Sequence, residues 1–335
     1  MRSLGLLIAL ALAALPFAGS SQQDGTPAGV YIALGDSISA GIGSSLPRER
    51  SYPAIVHTYM EADLNGRVLI ENLAEPGATA RSFLEGGQLA RYQDLVTETT
   101  DSGLPILAVT VTLGGNEVLD LVGATNPERQ VALDEFEDSL GQALAQIRAA
   151  VGSETPVAVT TIYDPTGTPP AVEFTDGWWI ARFNDVIRAA AEATGVAIAD
   201  VAATFAEADG VLTRYPVDPH PTNEGHRLIA QTVWGALGYD DQAPEIEVLS
   251  PLASNRLTPT LRFKTSEPVA PGSVRVTTDA NLAVYPIVEL SETEFVALLE
   301  LVDPVPGPVS VTIAVLDRAG NSTEVEHTFR FEPGP

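Results

Sequence analysis

The chain of 335 residues contains no cysteine. Disulfide staples, thiolate chemistry and lipid attachment through a cysteine are excluded with it. Lysine is nearly absent too. Lys264 is the one lysine among 18 basic residues, set against 44 aspartates and glutamates, for a formal charge of −26. Such acidity argues against nucleic acid and anionic membrane surfaces as partners, and reads as solvation of the surface. Histidine occurs four times, as His57, His220, His226 and His327. Beyond the first residues no apolar run is long enough to span a bilayer. Without staples the chain depends on its cores, and its length suffices for two.

What is present divides into three stretches. Met1-Arg2-Ser3, the apolar run Leu4 to Leu15, and Pro16 with Ala18-Gly19-Ser20 read as a secretory signal peptide over residues 1–20. Cleavage near Ser20 and an extracellular or periplasmic location are expected. Over 27–240, apolar runs at Val30–Leu34, Arg67–Glu71, Ile106–Leu113, Pro156–Ile162 and Val196–Val201 alternate with helical patterns. The helical patterns are Tyr52–Leu64, Val131–Val151, Trp178–Ala193 and Thr222–Leu237. That alternation predicts a three-layer α/β/α domain around a parallel sheet. A boundary is expected at Asp240–Pro244. Short alternating runs separated by Pro, Gly, Ser and Asn then predict a smaller all-β sandwich of immunoglobulin-like topology over 244–333. Leu316–Asn321 resembles the late hairpin turn of bacterial Ig-like modules. This module either spaces the chain or contacts a polymer such as a polysaccharide, or a surface.

The chemistry is concentrated in four blocks. Leu34-Gly35-Asp36-Ser37-Ile38 follows the first apolar run, which places Ser37 at a strand end and, as read here, at a helix N-terminus. Open α/β sheets hold reactive groups at such ends. The tripeptide alone describes an ordinary helix cap equally well. Three further blocks follow in order: Glu71 to Thr79, Val109 to Glu117, and Val217 to His226. Together they make residues 29–238 resemble the GDSL or SGNH family of serine hydrolases, whose namesake Ser, Gly, Asn and His match Ser37, Gly77, Asn116 and His220. The resemblance implies a flavodoxin-like hydrolase domain.

Residue chemistry agrees. A serine hydroxyl needs a base, and His220 is held in an extended loop by Pro219 and Pro221. His57 and His226 fall in helical patterns, and His327 lies in the β-rich stretch. The Gly77 N–H, the Asn116 side-chain amide and the Ser37 N–H suit an oxyanion hole. The acid is less regular. In the family it usually stands three residues before the histidine, where this chain has Val217. Asp218 is the preferred candidate, with a backbone carbonyl or Asp164 as the alternatives. Asp36 is expected to hold its turn, Trp178 and Trp179 to pack. Pocket walls are expected from 43–50 and 166–176.

The resemblance implies a secreted serine esterase that hydrolyses carboxylic esters, of lipids or short acyl groups, through an acyl-enzyme on Ser37. It needs neither metal nor cofactor. The alternatives are a deacetylase of acetylated polysaccharide and a non-catalytic surface-binding protein.

Overall fold

The first strand, β1 (Gly29–Gly35), is buried along its whole length, and its side chains separate by parity. Val30, Ile32 and Leu34 enter one apolar core, Tyr31 and Ala33 another. A strand buried on both faces belongs in the middle of a covered sheet. The computed structural model describes residues 26–332 apart from 209, 240–241, 251–252, 271, 279–281, 303–304 and 318–320. The signal-peptide expectation, residues 240–241 of the Asp240–Pro244 boundary and part of the 316–321 turn therefore lie outside the described residues.

Around β1 stand β2 (Val68–Asn72), β3 (Ile106–Thr112), β4 (Val157–Thr160) and β5 (Ala197–Ala199), in the order β2-β1-β3-β4-β5. All these pairs are parallel. This is the flavodoxin-like doubly wound order, in which the progression of strands across the sheet reverses between β1 and β3. One face carries α3 (Ala80–Glu85), α4 (Gln88–Asp101), α6 (Asn126–Val151) and α7 (Asp176–Thr194). The other carries α2 (Tyr52–Asp63) and α9 (Asn223–Leu237). Short helices α1 (Pro47–Arg50), α5 (Gly115–Asp120) and α8 (Val201–Glu207) complete the layers.

Two local expectations need correction. No helix follows Ser37. Residues 36–45 form successive turns, because the hydrogen bonds drift from Ala40 N–H on Asp36 O to Ile42 N–H on Ser37 O. Gly43 then takes φ +95° against the Pro221 carbonyl, where no side chain has room. Further on, α6 starts at Asn126 rather than Val131. Glu128 accepts the Thr125 N–H at 2.7 Å and adds a turn that apolar spacing does not mark.

A small hairpin, β6 (Thr213–Arg214) with β7 (Asp218–Pro221), precedes α9. The C-terminal region is rich in antiparallel strands: β8 (Ile246–Val248), β9 (Ala253–Ser254), β10 (Thr260–Thr265), β11 (Arg275–Thr277), β12 (Leu282–Val284), β13 (Val288–Ser291), β14 (Glu294–Leu301), β15 (Gly307–Leu316) and β16 (Ser322–Phe331). They form a β12-β14-β10-β8 sheet, with β13 also on β14, and a β11-β15-β16-β9 sheet. Only the β16–β9 pair is parallel among these. Side chains from both sheets fill one core, including Phe263, Phe295, Val311 and Phe329.

Candidate active site

The turn after β1 is supported from beneath by buried polar groups. Gly35 has φ +114° and packs on the Thr112 carbonyl too closely for a side chain. Gln88, fully buried, accepts the Gly35 N–H at 2.7 Å and donates to the Gly35 carbonyl at 3.0 Å. The Asp36 carboxyl accepts the Ile38 N–H at 2.9 Å and the Thr112 hydroxyl at 3.0 Å. Burial nevertheless pushes that carboxyl up to about 6. Asp36 thus holds the turn that presents Ser37.

Ser37 Oγ lies 2.8 Å from His220 Nε2, and His220 Nδ1 lies 2.6 Å from Asp218 Oδ1. The two-residue spacing works because β7 is a strand, where side chains i and i+2 project from one face. The same Asp218 oxygen accepts the His220 N–H at 3.0 Å, and this bond foremost holds the Asp218 carboxyl below its ordinary range. With Nδ1–H donating to the carboxylate, Nε2 is left to accept the Ser37 proton. The Tyr163 hydroxyl donates to the Pro219 carbonyl at 2.7 Å and braces the strand from behind. Asp164 is engaged elsewhere: its Oδ1 accepts the Thr166 N–H at 2.7 Å and the Thr166 hydroxyl at 2.6 Å.

The other histidines serve packing. His226 is fully buried; its Nε2–H donates to Ile42 O at 3.0 Å, and its Nδ1 accepts the Tyr52 N–H at 3.3 Å. Burial pushes it down to about 4, so it is neutral. His57 donates to Val68 O at 2.8 Å, and His327 stands on β16.

Asn116 lies at the start of α5 and shares a cavity wall with Ser37 and His220. Its Nδ2 donates to Ala78 O at 2.8 Å, which leaves the second hydrogen for a ligand. Gly77, at φ +86°, is the neighbour of that gripped residue and is not itself part of the cavity wall. Glu117, next to Asn116, received no reading from sequence. Its carboxyl accepts the Ala80 N–H at 2.6 Å, and burial pushes it up to about 7.

The cavity has a volume of about 280 Å³, and its wall is mostly apolar, with Leu119, Val122, Ile162, Trp179, Ile180 and Phe183. Thr166 and Asp176 contribute from the expected 166–176 loop. The 43–50 loop contributes nothing, a correction; α5, its following turn and the Tyr215-Pro216 turn take its place. Trp178 stays outside, under the Arg182 guanidinium at 5.1 Å. Among the described residues no group of His, Cys, Asp or Glu is placed to hold a metal ion. Among them, too, no helix is long and apolar enough to cross a membrane.

Residues 33–228 match the model of the GDSL-like lipase/acylhydrolase family. The chain is similar in structure to a lipase, Lip_vut3, from a goat rumen metagenome: 22% identity, 63% of this chain and 98% of that one, TM-score 0.50. That likeness concerns the fold. Other similar structures are LAE5, an α/β hydrolase enzyme from the metagenome of Lake Arreo (23%, 64% and 98%, 0.48), and Axe2, an acetylxylan esterase from Geobacillus stearothermophilus (19%, 64% and 96%, 0.49). No curated protein matches the chain.

Proposed function

Because the chain belongs to the GDSL-like lipase/acylhydrolase family, and is therefore a carboxylic ester hydrolase, we propose that it is a secreted serine esterase acting through an acyl-enzyme on Ser37. The observation that carries the reading is the Ser37–His220–Asp218 relay at the wall of an apolar cavity. Ser37 Oγ attacks the ester carbonyl while His220 Nε2 takes its proton. Asp218 keeps Nδ1–H in place and balances the charge that forms on the imidazole. The Gly77 N–H, the free Asn116 N–H and the Ser37 N–H receive the oxyanion. The tetrahedral centre collapses, and the alcohol leaves with the proton from His220. Water, deprotonated by His220, then attacks the acyl-enzyme, and Ser37 recovers its proton as the acid departs.

The apolar wall supports an ester with an apolar acyl or alcohol group, of the lipid or short-chain kind. Export is read from residues 1–20. We place the hydrolase domain at 27–240 and read 244–333 as an immunoglobulin-like sandwich that spaces the enzyme or contacts a polymer or surface. The test is a panel of p-nitrophenyl esters of rising acyl length, run beside acetylated xylan, with Ser37→Ala as control. Turnover that rises beyond acetyl and disappears in the variant is expected. Preference for acetyl together with release of acetate from the polymer would replace this reading by a polysaccharide deacetylase. No turnover of any ester would make the chain a binding protein.

A further inference from the structure

Glu117 follows Asn116 on α5, and the proposed relay does not use it. One oxygen, Oε1, accepts the Ala80 N–H at 2.6 Å; the other, Oε2, is buried with no hydrogen-bond partner. A buried carboxyl with an unpaired oxygen opposes folding, so a local gain must offset it. Part of that gain is the cap on the buried Ala80 N–H at the first position of α3, which the helix's own capping box leaves free. Thr79 Oγ1 accepts the Ser82 N–H at 3.1 Å, and Ser82 Oγ accepts the Thr79 N–H at 2.8 Å.

What Glu117 adds is a second tether between α5 and the segment after Gly77. The first is Asn116 Nδ2 on Ala78 O, at 2.8 Å. The backbone also anchors the segment, through Ala78 N–H on Glu75 O at 3.0 Å and Glu75 N–H on Gly35 O at 2.9 Å, but neither bond reaches α5. The two side-chain bonds, on either side of Thr79, fix the segment's distance and its orientation together. Gly77 adjoins this gripped segment and has a backbone, at φ +86°, that few other residues adopt. The direction of its N–H therefore follows the segment that the two side chains hold.

We propose that Glu117 is a positioning residue of the oxyanion hole: with Asn116 it clamps Ala78–Ala80 so that the Gly77 N–H and the free Asn116 N–H converge on one point. The inference rests on the reading of Gly77 and Asn116 as oxyanion donors. Small displacements of such donors act on developing charge and lower kcat with little change in KM.

The experiment measures kcat and KM of the full chain on a short p-nitrophenyl ester, for Glu117→Ala, Glu117→Gln, Asn116→Ala and the Asn116→Ala/Glu117→Ala double variant. Glu117→Ala should lose about 10- to 100-fold in kcat, with KM within about threefold. Glu117→Gln retains an acceptor for Ala80 and should stay within about threefold of wild type. In the Asn116→Ala background, Glu117→Ala should remove less than about threefold more, because the loss of the Asn116 bond to Ala78 O has already broken the clamp that both side chains form. Should Glu117→Ala not fold, Glu117→Asp, which withdraws the carboxyl by one methylene, carries the same expectation. A lowered melting temperature with full kcat would make Glu117 merely structural and overturn the proposal, as would losses that multiply in the double variant. If Asn116→Ala itself keeps full kcat, the oxyanion reading fails first. If Asn116→Ala is impaired while Glu117→Ala runs at full speed, only the clamp fails.

Discussion

The Ser37 turn and the His220 hairpin meet at one hydrogen bond but are supported in opposite ways. Beneath Ser37 lie polar groups withdrawn from water: Asp36 is 2% exposed and Gln88 fully buried. Gln88 comes from a distant part of the chain, Asp36 adjoins Ser37 and is pinned to the distant Thr112, and both fix the turn through its backbone. His220 instead takes its orienting carboxylate from its own neighbourhood. The side chains of His220 and Asp218 are 26% and 33% exposed, and Val217 beside them is 91% exposed. The two aspartates respond accordingly. Burial raises Asp36, whereas the His220 N–H lowers Asp218. The contrast suits the proposed chemistry. A nucleophile gains from being held in one place, and a base that exchanges protons with alcohol and water gains from access.

The strongest way to break this comparison is at the hydroxyl. Ser37→Ala should lower kcat by about 10⁶ with the fold intact, since members of such a relay act as a unit. A fluorophosphonate should label wild type and spare the variant; persistent labelling would move the nucleophile elsewhere. On the hairpin side, Asp218→Asn should lose up to about 10⁴ in kcat, because an amide does not balance the imidazolium charge. Asp164→Asn should stay within about threefold, as its oxygen serves Thr166. A crippled Asp164→Asn beside a near-normal Asp218→Asn would transfer the acid to the other loop.

What could be read from the sequence follows the same division. The strands announced themselves as apolar runs, because β1, β3 and β4 are covered on both faces. The hairpin is local, so Asp218 and His220 could be considered together from their spacing. The supports of Ser37 are only partly local: Asp36 is its neighbour, but Thr112 and Gln88 are not. Gln88 is 53 residues from Gly35 in sequence, and nothing in Gln88-Leu89-Ala90 marks it as a backbone partner. Its helix, α4, passed unread because only Leu89, Tyr92, Val96 and a few other residues are buried in an otherwise polar stretch. Glu117 also passed unread, since a carboxylate after Asn116 looks like a solvated helix residue until the start of α3 covers it. The expected helix after Ser37 failed for a related reason: Gly43 must turn where the His220 loop packs against it.

The smallest effect concerns the buried aspartate and fixes a sign. Burial raises the Asp36 carboxyl from its ordinary 3.8 to about 6. Between those values the folded chain keeps a proton that the unfolded chain releases. The stability this proton contributes is full below pH 3.8 and is lost as pH rises through about 6. A shift of roughly two units corresponds to about 3 kcal/mol. Asn at this position does not titrate, and its carbonyl oxygen can accept from Ile38 and Thr112 as Asp36 does. Urea unfolding of Asp36→Asn and wild type at about pH 4 and about pH 7 should therefore show the difference moving by roughly 2 kcal/mol in the variant's favour, since part of the span is already lost at pH 4. His226, pushed down to about 4, destabilises both proteins alike as pH falls below 6.5, so it cancels from that difference. A difference that does not change with pH would mean that water reaches Asp36, and the contrast between a sealed turn and an open hairpin would be lost.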